Sequence, residues 1–146
     1  MADLILAILH HILVFGLVAM LMAERVMVSS APIDVRRLAR LDGGYGAVAG
    51  LILVVGAARV IWGSKGWAFY ESNPFFWAKV ATFAIIGLVS IAPTRRFLAW
   101  AKAARSDAGF QPAEADRGKV RAALGLEALL LIPLLACAAA MARWPF

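Results

Sequence analysis

Charge is scarce in this chain, and acid is scarcer than base. Of 146 residues, 16% are charged, with nine Asp or Glu against fifteen Lys or Arg. There is one cysteine, Cys137, which excludes a disulfide within the chain and any cysteine-only metal cage. There are two histidines, and they are neighbours, His10 and His11. No CxxC pair occurs, nor a glycine-rich phosphate loop in a strand-to-helix setting, nor a nucleophile–base pair. No long repeat and no separate soluble stretch interrupts the chain. Asp3 is the only charge before Glu24, so the N-terminal apolar run has no basic leader and reads as a retained span rather than a cleaved signal.

What is present is apolar sequence. Hydrophobic residues make up 63% of the chain and the mean hydropathy is +0.81. Four stretches reach the length that ~30 Å of hydrocarbon requires of a helix. They run over about residues 4–26, 43–62, 75–93 and 119–142. The expected fold is an all-α four-transmembrane-helix bundle, a single membrane domain over 1–146. Two basic segments, about 34–41 and 94–105, are expected to lie as short helices at the headgroups, the first N-capped by Asp34. Pro93 is expected to end or kink the third span, and Pro133 to kink the fourth. Trp62, Trp67, Phe69, Tyr70, Phe75, Phe76 and Trp77 form an aromatic interface belt around the second connector. Gly46-xxx-Gly50 in the second span suits close helix packing within the bundle or a seam between two copies.

The net charge of +6 first concerns topology and anionic lipid, with nucleic acid not expected as a partner. Arg36, Arg37 and Arg40 crowd the first connector. Arg95, Arg96, Lys102, Arg105 and Arg117 crowd the third, whereas the second holds only Lys65. The positive-inside rule then puts connectors one and three in the cytoplasm and both termini outside. The expected location is the bacterial cytoplasmic (inner) membrane, multi-pass, with the lipid bilayer as first partner and a homo-oligomer or a larger membrane complex as the second.

On that topology the polar residues inside the spans fall into layers. At 1.5 Å per residue, His10 and His11 lie roughly 9–10 Å below the outer end of span one. Arg59 lies about 5 Å and Lys79 about 6 Å below the same surface by the same rise. Toward the inner side stand Glu24, Arg40, Tyr45 and Glu127. His10 and Glu24 are fourteen residues apart and fall within about 40° on one stripe, so His10 is expected to be the more interior histidine. Arg59 and Lys79 are near enough to an interface to snorkel, and Glu24 has Arg25 or Arg40 at hand for an interfacial ion pair. Glu127 is too deep for either, and should be protonated or paired with a cation.

Neutral imidazole inside an apolar bundle suits haem iron, and Arg59 and Lys79 suit its propionates. Being about 100° apart, His10 and His11 cannot both bind one iron from opposite faces. The expected cofactor is haem b or a porphyrin. His10 and His11 are its ligands or metal-binding groups, Arg59 and Lys79 its charge partners and the candidate catalytic residues. Two rival expectations stay open. One is an accessory subunit of a larger membrane complex. The other is a small oligomeric permease or ion-handling protein with Lys79, Glu24 and Glu127 along a polar path.

Two segments carry a resemblance. Phe69-Tyr70-Glu71-Ser72-Asn73-Pro74-Phe75-Phe76-Trp77-Ala78-Lys79 continues to Ile91-Ala92-Pro93-Thr94-Arg95-Arg96-Phe97-Leu98-Ala99-Trp100. Arg40-Leu41-Asp42-Gly43-Gly44-Tyr45-Gly46 precedes a span ending in Arg59. Together they resemble an uncharacterised family of small bacterial four-helix membrane proteins, over nearly the whole chain. More distantly the plan is similar to the HemJ-type protoporphyrinogen oxidases and to CopD-like membrane domains. That resemblance implies a haem-associated His10 or His11 and a functional Lys79.

Overall fold

The computed structural model describes residues 2–144, which fold as five helices with no strand among them. These are α1 (Ala2–Ser29), α2 (Val35–Trp62), α3 (Gly66–Glu71), α4 (Pro74–Ser106) and α5 (Glu114–Ala142). All but α3 are long and apolar enough to cross a membrane. Large aliphatic and aromatic side chains point outward along them, Phe15 at 72% exposure, Leu88 at 68% and Ile132 at 65%. Such a surface is stable in lipid and would aggregate in water.

Around the bundle α1 packs on α2, α2 on α4, α4 on α5, and α5 back on α1. The pairs α1/α4 and α2/α5 therefore face each other across the diagonal. Short connectors make sequential helices antiparallel, and both chain ends meet the 63–73 connector at one end. There Ser64 Oγ donates to Asp3 (2.9 Å), and Asn73 Nδ2 donates to the Met141 carbonyl (3.2 Å). Asn73 is fully buried, and its Oδ1 also caps α4 by accepting from the Phe75 N–H (3.0 Å).

The opposite, basic end is closed by arginines on helix C-termini, where backbone carbonyls lack intrahelical partners. Arg117 donates to the Val28 carbonyl at 3.0 Å and to the Ser30 carbonyl at 3.2 Å, at the end of α1. Arg36 donates to the Ala104 carbonyl (2.8 Å) at the end of α4. Glu114 pairs with Arg117 and accepts from Arg121, whose hydrogen bond holds this carboxyl below the usual carboxylate range. Part of the basic bias thus has a structural duty. Arg117→Ala is expected to lower stability by about 2 kcal/mol, the scale of charged hydrogen bonds lost from half-shielded carbonyls, measured as a shift in detergent unfolding.

The helices run longer than the spans alone predict. Asp34 is the N-cap, its Oδ1 accepting from the Arg37 N–H (2.9 Å). The basic stretch it starts is the opening of α2, however, not a separate surface helix. Nothing between Arg36 and Tyr45 removes an N–H, and Arg, Leu and Ala are good helix formers. Likewise 94–105 continues α4 through Pro93, and α5 continues through Pro133. The glycines of α2 divide by face. Gly43, Gly46 and Gly50 point outward with nothing within 4 Å of where a Cβ would stand. Gly44 and Gly56 point inward, toward Met20 and His10. The Gly46/Gly50 pair is therefore not what brings helices of this bundle together.

The apolar core is unevenly distributed. Every buried side chain of the four long helices lies at or beyond Leu17 in α1, up to Val55 in α2, from Ile86 in α4 and up to Leu131 in α5. The packed core, with Leu38, Phe97, Trp100 and Leu124, belongs to the basic half. The terminal half has no such core.

Candidate functional site

Two polar layers occupy the two halves. In the terminal half, α1 turns His10 inward. Its ring Cε1 comes 3.6 Å from where a Cβ of Gly56 would stand, so the absence of a side chain on α2 lets the imidazole in. Arg59 follows from α2, three residues after Gly56. Gly63 ends that helix tightly: its N–H donates to the Arg59 carbonyl (2.9 Å), and a Cβ there would fall 2.1 Å from that oxygen. Lys79 comes from α4, across the diagonal from α1, with its Nζ 5.9 Å from the Phe76 ring centroid.

All three groups are half-buried and within reach of one another's charge. No carboxylate joins them: no ion pair of Arg59 or Lys79 occurs among the described residues. His10 Nδ1 and Arg59 Nε are buried without a hydrogen-bond partner.

His11 does not take part. It is exposed on the outer face of α1, and its Nδ1 pairs with the Ala7 carbonyl (2.6 Å) of its own helix. The two imidazoles stand edge to face with centroids 6.4 Å apart, as the 100° step between neighbours requires. Among the described residues no group of three or more His, Cys, Asp or Glu is arranged to hold a metal ion.

In the basic half the four helices each deliver an oxygen-bearing side chain. Glu24 of α1, Asp42 of α2 and Glu127 of α5 are 1%, 5% and 0% exposed. Tyr45 Oη donates to Glu127 Oε2 (3.0 Å), a bond between diagonal helices that crosses the bundle centre. Thr94 Oγ1 of α4 donates to Asp42 Oδ1 (2.8 Å).

Arg40, expected among the buried polar groups, is exposed. Two residues before buried Asp42, it sits about 200° round the helix and faces out. The ion pair expected for Glu24 is not formed with Arg40 or Arg25. The Arg25 guanidinium extends instead toward Gly125 of α5.

Asp42, which opens span two with Arg40 and Tyr45, stands three residues before Tyr45 and so on the same face. Thr94 is the residue that sequence reasoning misses, because a lone threonine beside a proline offers no such signal.

Fold and layers together define a polytopic membrane protein with four spans and two buried polar levels. The chain belongs to the family described as "Predicted membrane protein (DUF2214)", matched over residues 2–144. That description names no activity. No curated protein and no solved structure matches the chain.

Proposed function

We propose that the chain binds an anionic cofactor of the porphyrin class, haem or a porphyrin, in the terminal half of the bundle. The carrying observation is that His10, Arg59 and Lys79, from three helices, lie within reach of one another's charge, with no ion pair to Arg59 or Lys79 among the described residues. Like charges brought together inside a membrane domain are costly unless an anion separates them.

The donor set fits the group chemically. His10, with an unpartnered ring nitrogen, would ligate the iron of a haem, and Arg59 and Lys79 would hold its two propionates. At this level Gly56 leaves the face of α2 open beside His10. The HemJ-type resemblance points the same way. When bound, haem supplies one-electron chemistry.

The chain's own residues do the rest. His10 orients the ring system, Arg59 and Lys79 fix its carboxylates, and the aliphatic helix faces keep water away. By the positive-inside rule the basic end faces the cytoplasm of a bacterial inner membrane, and this layer lies in the outer leaflet.

The absorption spectrum of the detergent-purified full chain is the test. A Soret band that co-elutes with the protein, with a tetrapyrrole in the acid–acetone extract, is expected. A colourless protein that stays colourless on adding haem would overturn the reading.

A further inference from the structure

We propose that Glu24, Asp42, Tyr45 and Glu127 form an exchangeable proton-binding site in the basic half of the bundle. It is separate from the His10 layer: Glu24 lies fourteen residues further along α1, about 21 Å by helical rise. It stands whether or not a porphyrin binds.

Three carboxyl groups on α1, α2 and α5 are each at least nine-tenths buried, and they lie within reach of one another's charge. Their partners are two hydroxyls. Thr94 serves Asp42, and Tyr45 serves Glu127. Glu24 makes no hydrogen bond, and its Oε1 is buried and unpartnered; Glu127 Oε1 is likewise unpartnered. The set is thus aimed into its own middle with accepting capacity left over.

No side-chain cation supplies the balance. Arg25 on α1 reaches toward Gly125, and Arg40 on α2 faces out. On α4, Arg96 is held by Asp116. On α5, Arg121 is held by Glu114, and Arg117 by Glu114 and the end of α1. Three bare carboxylates facing one another inside a membrane bundle would repel strongly and lack hydration.

The remaining counter-charge is the proton. Taking one up forms an O–H bond on a carboxylate oxygen and neutralises one charge. Releasing it breaks that bond and restores the carboxylate. Protons held by such a set belong to the set rather than to one residue. The Tyr45 hydroxyl, spanning from α2 to α5, gives the proton a route across the centre.

The test is infrared difference spectroscopy on the full chain in lipid, between acidic and alkaline buffer, in H2O and D2O. A carboxylic-acid C=O band that grows on acidification and shifts down in D2O is expected. Glu24→Gln should remove one carboxyl's share of it, and Thr94→Val, which frees Asp42, should move its titration midpoint. A wild-type protein without a pH-responsive carboxylic-acid band would overturn the proposal. So would a band that is unchanged in Glu24→Gln, Asp42→Asn and Glu127→Gln alike, or one abolished by sodium or potassium at fixed pH. If Glu24→Gln fails to fold, judged by circular dichroism, the band lost in Asp42→Asn and Glu127→Gln decides, since the other acids of the chain also protonate on acidification.

Discussion

Lys79→Met is expected to move two quantities in opposite directions. The ligand-free protein should become more stable, by roughly 1–3 kcal/mol, because an unpaired half-buried cation gives way to an apolar chain of similar volume. Haem affinity should fall by about tenfold to a hundredfold, the scale of one charge-assisted contact. Arg59→Gln should weaken binding by a similar factor. The double variant should lose about 10²–10⁴-fold if the two cations hold separate carboxylates. Difference spectroscopy during haem titration reads affinity, and denaturant unfolding of the unloaded protein reads stability. Such a trade is the mark of a residue kept for binding and not for the fold. A snorkelling lysine would give neither effect.

The second large effect concerns the scaffold. Phe97 is completely buried, its ring tilted against Trp100 with centroids 5.7 Å apart, in the packed core of the basic half. Phe97→Ala is expected to cost about 3–5 kcal/mol, from lost contacts and the cavity left behind. The midpoint of detergent unfolding should drop accordingly. Because the core lies in one half of the bundle, a comparable truncation in the terminal half, such as Ile12→Ala at 62% exposure, should change stability little.

The architecture was readable from the sequence because lipid imposes a simple rule. Apolar runs of the right length must be helical, since no water is present to satisfy open backbone. Helical phase also placed correctly what it could reach: His10 shares a stripe with Glu24, and both turn inward. Glu127 was legible as deep from its place in α5.

Where reading failed, the deciding fact was which face of a helix looks inward, or what another helix brings to it. Arg40 lies two residues from Asp42 and so on the opposite face, a distinction that helix ends blur. Gly46 and Gly50 carry a packing motif but face away from the other helices, while the unremarked Gly56 makes room for His10. The first headgroup segment merged with its span because no residue between them removes an N–H, and the second did so although Pro93, inside α4, takes one bond out of the ladder. Thr94 matters through Asp42, fifty-two residues away, and Asn73 adds to its local cap of α4 a bond to Met141, sixty-eight residues away. Spacing along one helix carries no trace of such pairings.

The meeting of His10 with two cations, Arg59 and Lys79, and the turning-out of His11 support the account proposed above, in which the terminal half holds an anionic ring system that His10 meets from inside. The most direct measurement compares visible spectra of His10→Ala and His11→Ala, purified from cells supplied with haem. The account predicts that His10→Ala loses the Soret band or shifts it to that of unligated haem, while His11→Ala keeps the wild-type spectrum. Loss in His11→Ala with retention in His10→Ala, or a band indifferent to both, would contradict it.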